Sequence, residues 1–159
     1  METVCDAHAV VGGTWNRKGD IVLGGLFRVQ RVADTGGPVT DLPGPQALWP
    51  VFLPDGEHYL ATRGSIWLRS MKGPEARRIL PDLSNVQVVV DPLPNRRDGA
   101  VLFTRAGILM ALPFDMKRLE PAGEAFTVAR GIRATNSGWL VATSGQESWR
   151  MFRGRKERT

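Results

Sequence analysis

The sequence predicts an all-β fold built from repeated four-stranded antiparallel sheets. Two observations support this prediction. The 159 residues contain 18 glycines and 11 prolines, a density that favours short strands joined by turns over long helices. A turn glycine followed by a short apolar run also recurs along the chain, at Gly19, Gly56, Gly99 and Gly138, with a spacing of roughly 40 residues. We therefore expect four copies of one structural unit.

Each copy predicts four strands, here called A to D, in the same order. Strand A precedes the turn glycine, in the segments TWN, LWPVF, VQVVVD and ATN. Strand B follows the glycine, at Ile21–Leu23, Tyr59–Ala61, Val101–Phe103 and Leu140–Ala142. Strand C comes after a second turn, at Leu26 and Phe27, Ile66 and Trp67, Ile108–Met110 and Trp149–Phe152. Strand D is predicted in PVTDL, ARRIL and AFTVA, the last of these after an expanded turn, DMKRLEPAGE.

The predicted turns contain glycine and aspartate in distinct roles. In the first copy, Gly24 and Gly25 are predicted to form the turn between strands B and C, because glycine adopts the positive φ angles that tight turns need. Asp55 and Asp98 each directly precede a turn glycine. An aspartate at such a position commonly accepts hydrogen bonds from the backbone of its own turn.

A four-stranded meander of this size cannot bury both of its faces alone, so the copies are expected to stack face to face as the blades of a β-propeller. The sequence predicts a partial β-propeller of three to four four-stranded antiparallel blades, at about residues 12–43, 47–81, 85–130 and 134–152. Residues 1–11 are predicted to be an N-terminal extension, and residues 153–159 a basic tail. A sandwich or a small barrel is the alternative. It is disfavoured because the turn signals recur at the same positions within each copy.

Several motifs carry a resemblance to a known family. FLPDG and IWLRSMKGPEARRIL resemble the TolB-like, WD-like (PD40-like) repeats of bacterial β-propellers. Other segments are similar to the propellers fused behind bacterial serine/threonine protein kinases. They are TWNRKGDIVL, LFRV, GGPVTDL, GAVLFTRAGILMALPFDMKRLEPAGEAFTVA and SWRMFRGRK. The resemblance covers the chain from Gly12 onward, with Lys18 standing where the family has Asp.

The resemblance implies a ring of six or more blades. The fourth copy here ends just after Gly154, with only RKERT left for its outer strand. We therefore expect either a piece of a larger propeller or a chain that completes itself by association, and favour the piece. The implied function is protein or ligand binding and scaffolding. The alternative is a sensor or regulatory fragment of a kinase whose catalytic domain is absent here.

The motifs of the main catalytic classes do not occur. The chain lacks the kinase motifs, the P-loop and the G-x-S-x-G nucleophile motif. The serines considered as nucleophiles lie beside predicted turns, where hydroxyls commonly bond local backbone; they are Ser65, Ser137, Ser144 and Ser148. We predict that the chain is not an enzyme and that it has no catalytic, cofactor-binding or metal-binding residues.

The remaining candidate residues have structural explanations as well as functional ones. Asp55, Asp98 and Asp20 could act as paired carboxylates, but turn formation is favoured, and the first two belong to different blades. His58 opens a strand and is predicted to be exposed or half-buried rather than a general base. Cys5 and His8 supply only two possible metal ligands, which do not make a site.

The five tryptophans could form a stacking platform for bases or sugars. Four of them, Trp15, Trp49, Trp67 and Trp149, recur near equivalent positions of their copies, so we predict that they pack between blades. Trp139 directly follows its turn glycine, which makes it the candidate for a surface role.

Charge and hydropathy limit the partners and the location. The net charge is +5, but the basic residues are scattered except in the tail RGRKERT, so nucleic-acid binding is not expected. We predict a protein partner, or self-association through open blade edges such as Arg77–Leu80 and the tail from Arg153. No membrane segment or signal peptide is visible. The chain as written is expected in the cytoplasm, or outside it as part of a membrane-anchored parent.

Overall fold

The structure is a computed structural model that describes Ala7, residues 9–90 and residues 98–131. In this part of the chain thirteen β-strands form three antiparallel sheets, and no helix is present. The chain divides into two compact units, Met1–Val86 and Gln87–Thr159. The first unit holds two of the sheets and the second unit holds the third.

The first unit consists of two four-stranded meanders. The first sheet is formed by β1 (Val10–Trp15), β2 (Asp20–Gly25), β3 (Gln30–Ala33) and β4 (Thr40–Asp41). The second sheet is formed by β5 (Leu48–Phe52), β6 (His58–Thr62), β7 (Ile66–Ser70) and β8 (Ala76–Leu80). Each strand pairs with its neighbour in sequence, so the predicted A-to-D order is confirmed for these two copies.

The second unit contains the third sheet, which has one strand more than predicted. Its strands are β9 (Gln87–Val90), β10 (Asp98–Arg105), β11 (Ile108–Asp115), β12 (Glu120–Pro121) and β13 (Phe126–Arg130). Both β12 and β13 pair with β11. The expanded turn therefore contains a short strand of its own, and the predicted return to a strand in AFTVA is confirmed. The fourth predicted copy lies outside the described residues.

The first copy corrects one prediction about strand C. Gly24 and Gly25 belong to β2, and Leu26 and Phe27 lie in the turn after it, 55% and 75% exposed. A Cβ atom on Gly24 would stand 2.6 Å from Pro50 Cδ and 2.9 Å from the Ala47 carbonyl oxygen. These glycines therefore serve close packing inside a strand rather than a turn, and strand C is β3.

The first and second sheets share a hydrophobic core. Its fully or nearly buried members are Val22, Val29, Leu42, Ala47, Tyr59 and Ala61, with Phe52 and Met71 packed against them. Backbone amides also link the first and second sheets: the Phe52 amide donates to Thr14 Oγ1 at 3.1 Å, and the Gly25 amide donates to the carbonyl oxygen of Ala47, the residue before β5, at 3.1 Å. The face of the first sheet that carries Thr14 and Val22 thus packs on the second sheet.

The third sheet has its own apolar cluster on one face, formed by Val89, Ala100, Leu102 and Ala111. These residues share a face because they are cross-strand partners or two residues apart on one strand. Among the described residues, no helix has the length and apolar character that crossing a membrane requires. The limits predicted for the propeller domain and its blades stay predictions.

Candidate functional site

Asp55 and His58 form the turn that joins β5 to β6. Asp55 Oδ1 accepts hydrogen bonds from the backbone amides of Glu57 and His58, both at 2.9 Å, and its Oδ2 lies 2.6 Å from His58 Nδ1. Partial burial opposes ionisation of Asp55, but these hydrogen bonds outweigh it and lower its pKa. The prediction that Asp55 caps its turn is confirmed. His58 is partly exposed, as predicted, with 27% of its side-chain surface accessible.

Asp20, the third acid considered, is held in the first sheet by two partners. Its Oδ2 accepts a hydrogen bond from Asn16 Nδ2 at 3.0 Å, and its Oδ1 accepts one from Arg31 Nε at 2.7 Å. Burial would raise the pKa of Asp20, but the bonds from Asn16 and Arg31 and the charge of Arg31 lower it overall. Both carboxylate oxygens are therefore bound to the surrounding turn and strand.

The other candidates are only partly covered by the described residues. Ser65 lies in the β6–β7 turn, where its carbonyl oxygen accepts the Arg63 amide at 2.9 Å. No group of three or more His, Cys, Asp or Glu side chains that could hold a metal occurs in the described part of the chain. The following lie outside it: Cys5, His8, the Asp98 side chain, Ser137, Trp139, Ser144, Ser148, Trp149 and the tail Arg153–Thr159.

The tryptophans do not all pack between blades. Trp49 and Trp67 are half-buried, but Trp15 is 66% exposed, so the prediction that Trp15 belongs to the core is wrong. The physical reason lies in the side of the sheet that it occupies. Trp15 pairs with Ile21 and Thr14 pairs with Val22. Because neighbouring residues on a strand point to opposite faces, Trp15 lies on the face that is turned away from the second sheet.

We call this surface the outer face of the first sheet, and it comprises Trp15, Ile21, Leu23 and Val32. Trp15, Ile21 and Val32 form one row, since each is the cross-strand partner of the next. Ile21 and Leu23 are half-buried and Val32 is 2% exposed. The row thus runs from a buried valine to a tryptophan that is mostly in solvent.

The second sheet carries the equivalent row, and there the row is covered. Phe52 stands four residues before its turn glycine, as Trp15 does, and Phe52, Tyr59 and Arg69 are successive cross-strand partners. Tyr59 is 0% exposed and Arg69 is 3% exposed, and Phe52 packs on the core shared with the first sheet. The two rows occupy the same repeat position, but among the described residues a neighbouring sheet covers only the second row.

Arg69 binds the segment that links the first and second sheets. Its Nη1 donates to the Pro45 carbonyl oxygen and its Nη2 to the Pro43 carbonyl oxygen, both at 2.8 Å. Its guanidinium carbon lies 5.8 Å from the centre of the Tyr59 ring, within the range of a cation–π contact. Burial raises the pKa of the Tyr59 hydroxyl, although the charge of Arg69 acts in the opposite direction. No hydrogen-bond partner of this hydroxyl lies among the described residues.

A small cleft, here called the linker cleft, lies beside this arginine. It is lined by Pro45, Gln46, Ala47, Arg63, Trp67, Arg69 and Ala76. The Trp67 indole nitrogen donates to the Arg63 carbonyl oxygen at 3.2 Å, which fixes the ring in the wall. Sequence patterns do not reveal this cleft, because it forms where a linker meets a strand far from it in sequence. The one signal in the sequence is an arginine in the middle of an apolar strand, IWLRS.

The fold has counterparts among solved structures. A putative TolB from Agrobacterium tumefaciens matches with a TM-score of 0.58 and 15% identity, over 82% of this chain and 50% of that chain. AztD from Citrobacter koseri matches with a TM-score of 0.53, and apo AztD from the same organism with 0.52, each at 14% identity over 79% of this chain and 35% of theirs.

No protein-family model matches the chain, and no curated protein matches it. The chain spans half or less of the length of these three solved structures. At these identities the likeness concerns the fold alone. Together with the sequential four-stranded meanders, it shows that the chain has the all-β fold of a partial β-propeller, similar to TolB-like structures.

Proposed function

We propose that the chain is a non-catalytic β-propeller module for protein binding and scaffolding, and that it associates with a second copy of itself through the outer face of the first sheet. The observation that carries the proposal is Trp15, which is 66% exposed at a repeat position that is covered in the second sheet. Burying an aromatic side chain of this size contributes about 2–3 kcal/mol. Such a residue supports a docking function for this face.

The second sheet indicates what kind of partner suits this face. Its equivalent row, Phe52, Tyr59 and Arg69, lies on the side that packs on the first sheet, where Val22 shares a core with Tyr59 and Phe52. A second copy would offer blades of the same construction. The solved TolB structure is twice as long as the portion matched by this chain, which is consistent with a partner that contributes further blades.

Face-to-face docking is favoured over the strand addition that the sequence suggests. The edge strand of the second sheet, β8, begins with Ala76, Arg77 and Arg78, all exposed. Charged side chains on an edge strand oppose pairing with another strand. Association through the outer face of the first sheet does not require this edge.

Size-exclusion chromatography with light scattering tests the proposal. We expect the unaltered chain to form dimers or larger species as its concentration rises, and Trp15→Glu to shift the equilibrium toward the monomer by at least tenfold, as the loss of about 2 kcal/mol implies. Phe27→Glu is the matched control, because Phe27 is 75% exposed in a turn outside this face. A monomer at every concentration, or an equal effect of both variants, would contradict the proposal.

A second candidate function is a sensor or regulatory segment of a serine/threonine kinase whose catalytic domain is absent here. Its support is the similarity of TWNRKGDIVL, LFRV and GGPVTDL to kinase-fused propellers. The test is to read the coding sequence upstream of Met1 for an in-frame kinase and a membrane helix. Such a parent would place the module outside the cytoplasm. Without one, we propose a cytoplasmic location.

A further inference from the structure

We propose that the linker cleft binds the carboxylate of an acidic side chain from a partner polypeptide. Two arginines, Arg63 and Arg69, stand in its wall, and none of the described residues that line it is acidic. Net positive charge without a counter-ion favours an anionic ligand. This inference is independent of the association proposed above, which concerns a different surface.

Arg69 supplies the first argument, because its charge is buried and none of the described carboxylates pairs with it. It is 3% exposed, and its contacts in the described part of the chain are the carbonyl oxygens of Pro43 and Pro45 and the ring of Tyr59. Burying an unpaired cation is costly. A guanidinium has five N–H donors, and two of those of Arg69 are bound to Pro43 and Pro45, which leaves three without a hydrogen-bond partner among the described residues.

Arg63 and Trp67 supply the second argument. Arg63 is exposed and lines the same cleft, and no carboxylate of the described residues lies within ion-pair distance of it. The hydrogen bond from Trp67 to the Arg63 carbonyl oxygen holds the backbone of Arg63 beside the indole. Guanidinium groups match the planar geometry of a carboxylate. Because Arg63 and Arg69 line the same cleft, the proposal assigns the carboxylate to these two side chains.

The size of the cleft limits the ligand. Its volume is about 80 Å³, which is room for about five water-sized groups when each needs ~15 Å³. A glutamate side chain has five non-hydrogen atoms beyond its Cα and therefore fits. A whole nucleotide or organic cofactor is larger than this volume and would extend out of the cleft. The apolar walls formed by Pro45, Ala47 and Ala76 suit the methylene groups that precede a side-chain carboxylate.

The surroundings favour a polypeptide over a small carboxylic acid. Ala76, in the cleft wall, is followed two residues later on the edge strand by the exposed residue Arg78, which is the cross-strand partner of Trp67. The positive charge thus continues along β8 beyond the cleft. A chain with several acidic residues would gain from this extended charge, whereas a single small acid would not.

Fluorescence anisotropy with labelled hexaglutamate tests the proposal, with labelled hexaglutamine as the neutral counterpart. We expect the full chain to bind hexaglutamate and not hexaglutamine. Arg63→Gln should weaken hexaglutamate binding roughly tenfold, the effect of losing one charge-assisted hydrogen bond. Arg17→Gln is the matched control, since it removes the same charge from an exposed turn residue on another part of the first unit.

The other outcomes overturn the proposal. Absence of hexaglutamate binding would do so directly, and equal binding of hexaglutamine would show that the carboxylate is not recognised. Equal losses of hexaglutamate affinity in Arg63→Gln and Arg17→Gln would show that binding depends on the net charge of the protein and not on the cleft. Competition by glutarate at the same concentration as hexaglutamate would assign the cleft to small acids instead. Light scattering on the same samples separates these results from any failure of self-association.

Discussion

The side-chain amide of Asn16 donates a hydrogen bond of 2.8 Å to the carbonyl oxygen of Gly56 and so joins the β1–β2 turn to the β5–β6 turn. The same side chain also organises its own turn. Asn16 Oδ1 accepts the backbone amides of Lys18 and Asp20, both at 2.9 Å, and Nδ2 donates to Asp20 Oδ2. Asn16 is 8% exposed, so one buried residue couples the turns of two neighbouring sheets.

Replacing Asn16 by alanine should therefore destabilise the first unit. We expect the free energy of unfolding to fall by about 1–3 kcal/mol, because the Gly56 carbonyl oxygen and the two turn amides lose their buried partner. Urea denaturation followed by circular dichroism measures the change. Gln46→Ala is the control, since Gln46 is exposed and its loss should change stability by less than about 0.5 kcal/mol. Equal values for the two variants would show that Asn16 does not couple the turns.

Gly24 gives a second prediction, which concerns the packing of the linker on the first sheet. Gly24→Ala should destabilise the chain by about 1–3 kcal/mol, because the new Cβ would stand 2.6 Å from Pro50 Cδ and 2.9 Å from the Ala47 carbonyl oxygen. Gly123→Ala is the matched control. Its Cβ would meet Pro113 at 3.5 Å, an ordinary contact, so we expect little change. Thermal denaturation of both variants decides whether close packing or turn formation explains Gly24.

Gly24 and Trp15 show which features of the fold could be predicted from the sequence and which could not. The apolar run after each turn glycine correctly places β2, β6 and β10, since that pattern is local. The same reasoning predicts a turn at Gly24 and Gly25, because a glycine that permits close approach and one that permits positive φ look identical in sequence. It also predicts a core position for Trp15, because Trp15 and Trp49 both lie near the start of their copies. Whether a neighbouring sheet covers that face is not encoded locally.

The linker cleft is a second feature that local sequence patterns could not predict. Its recognition depends on Arg69 reaching the carbonyl oxygens of Pro43 and Pro45, which precede it by more than twenty residues. No periodicity or spacing in the sequence predicts such a contact. An arginine within IWLRS indicates only that a strand carries a charge, and the structure shows that this charge is buried.

Arg69 also gives a prediction about stability. Arg69→Lys should lower the free energy of unfolding by about 1–3 kcal/mol, because one ammonium group cannot donate to both carbonyl oxygens in the geometry of the guanidinium fork. Arg69→Met keeps the length of the side chain but removes both bonds, and should destabilise at least as much. Arg17→Gln serves as the exposed comparison, with little expected effect. A lysine variant as stable as the original chain would show that charge alone, without the paired bonds, holds the linker.

Asp20 gives a prediction about how the stability of the fold depends on pH. Its pKa is below the ordinary value of 3.8, because the hydrogen bonds from Asn16 and Arg31 and the charge of Arg31 outweigh the effect of burial. A carboxylate with a lowered pKa in the folded state stabilises the fold fully above its ordinary pKa, and this contribution is lost as the pH falls below that value. We expect Asp20→Asn to reduce stability at pH 7 and to weaken the loss of stability between about pH 5 and pH 2. Urea denaturation at a series of pH values measures both.

Asp41→Asn is the comparison. The pKa of Asp41 is also lowered, by Gln30 and Arg28, but the pair of Asp41 and Arg28 is exposed and screened by solvent, so the effect of this substitution on stability should be smaller. An unchanged pH profile for Asp20→Asn would contradict the role assigned to this carboxylate.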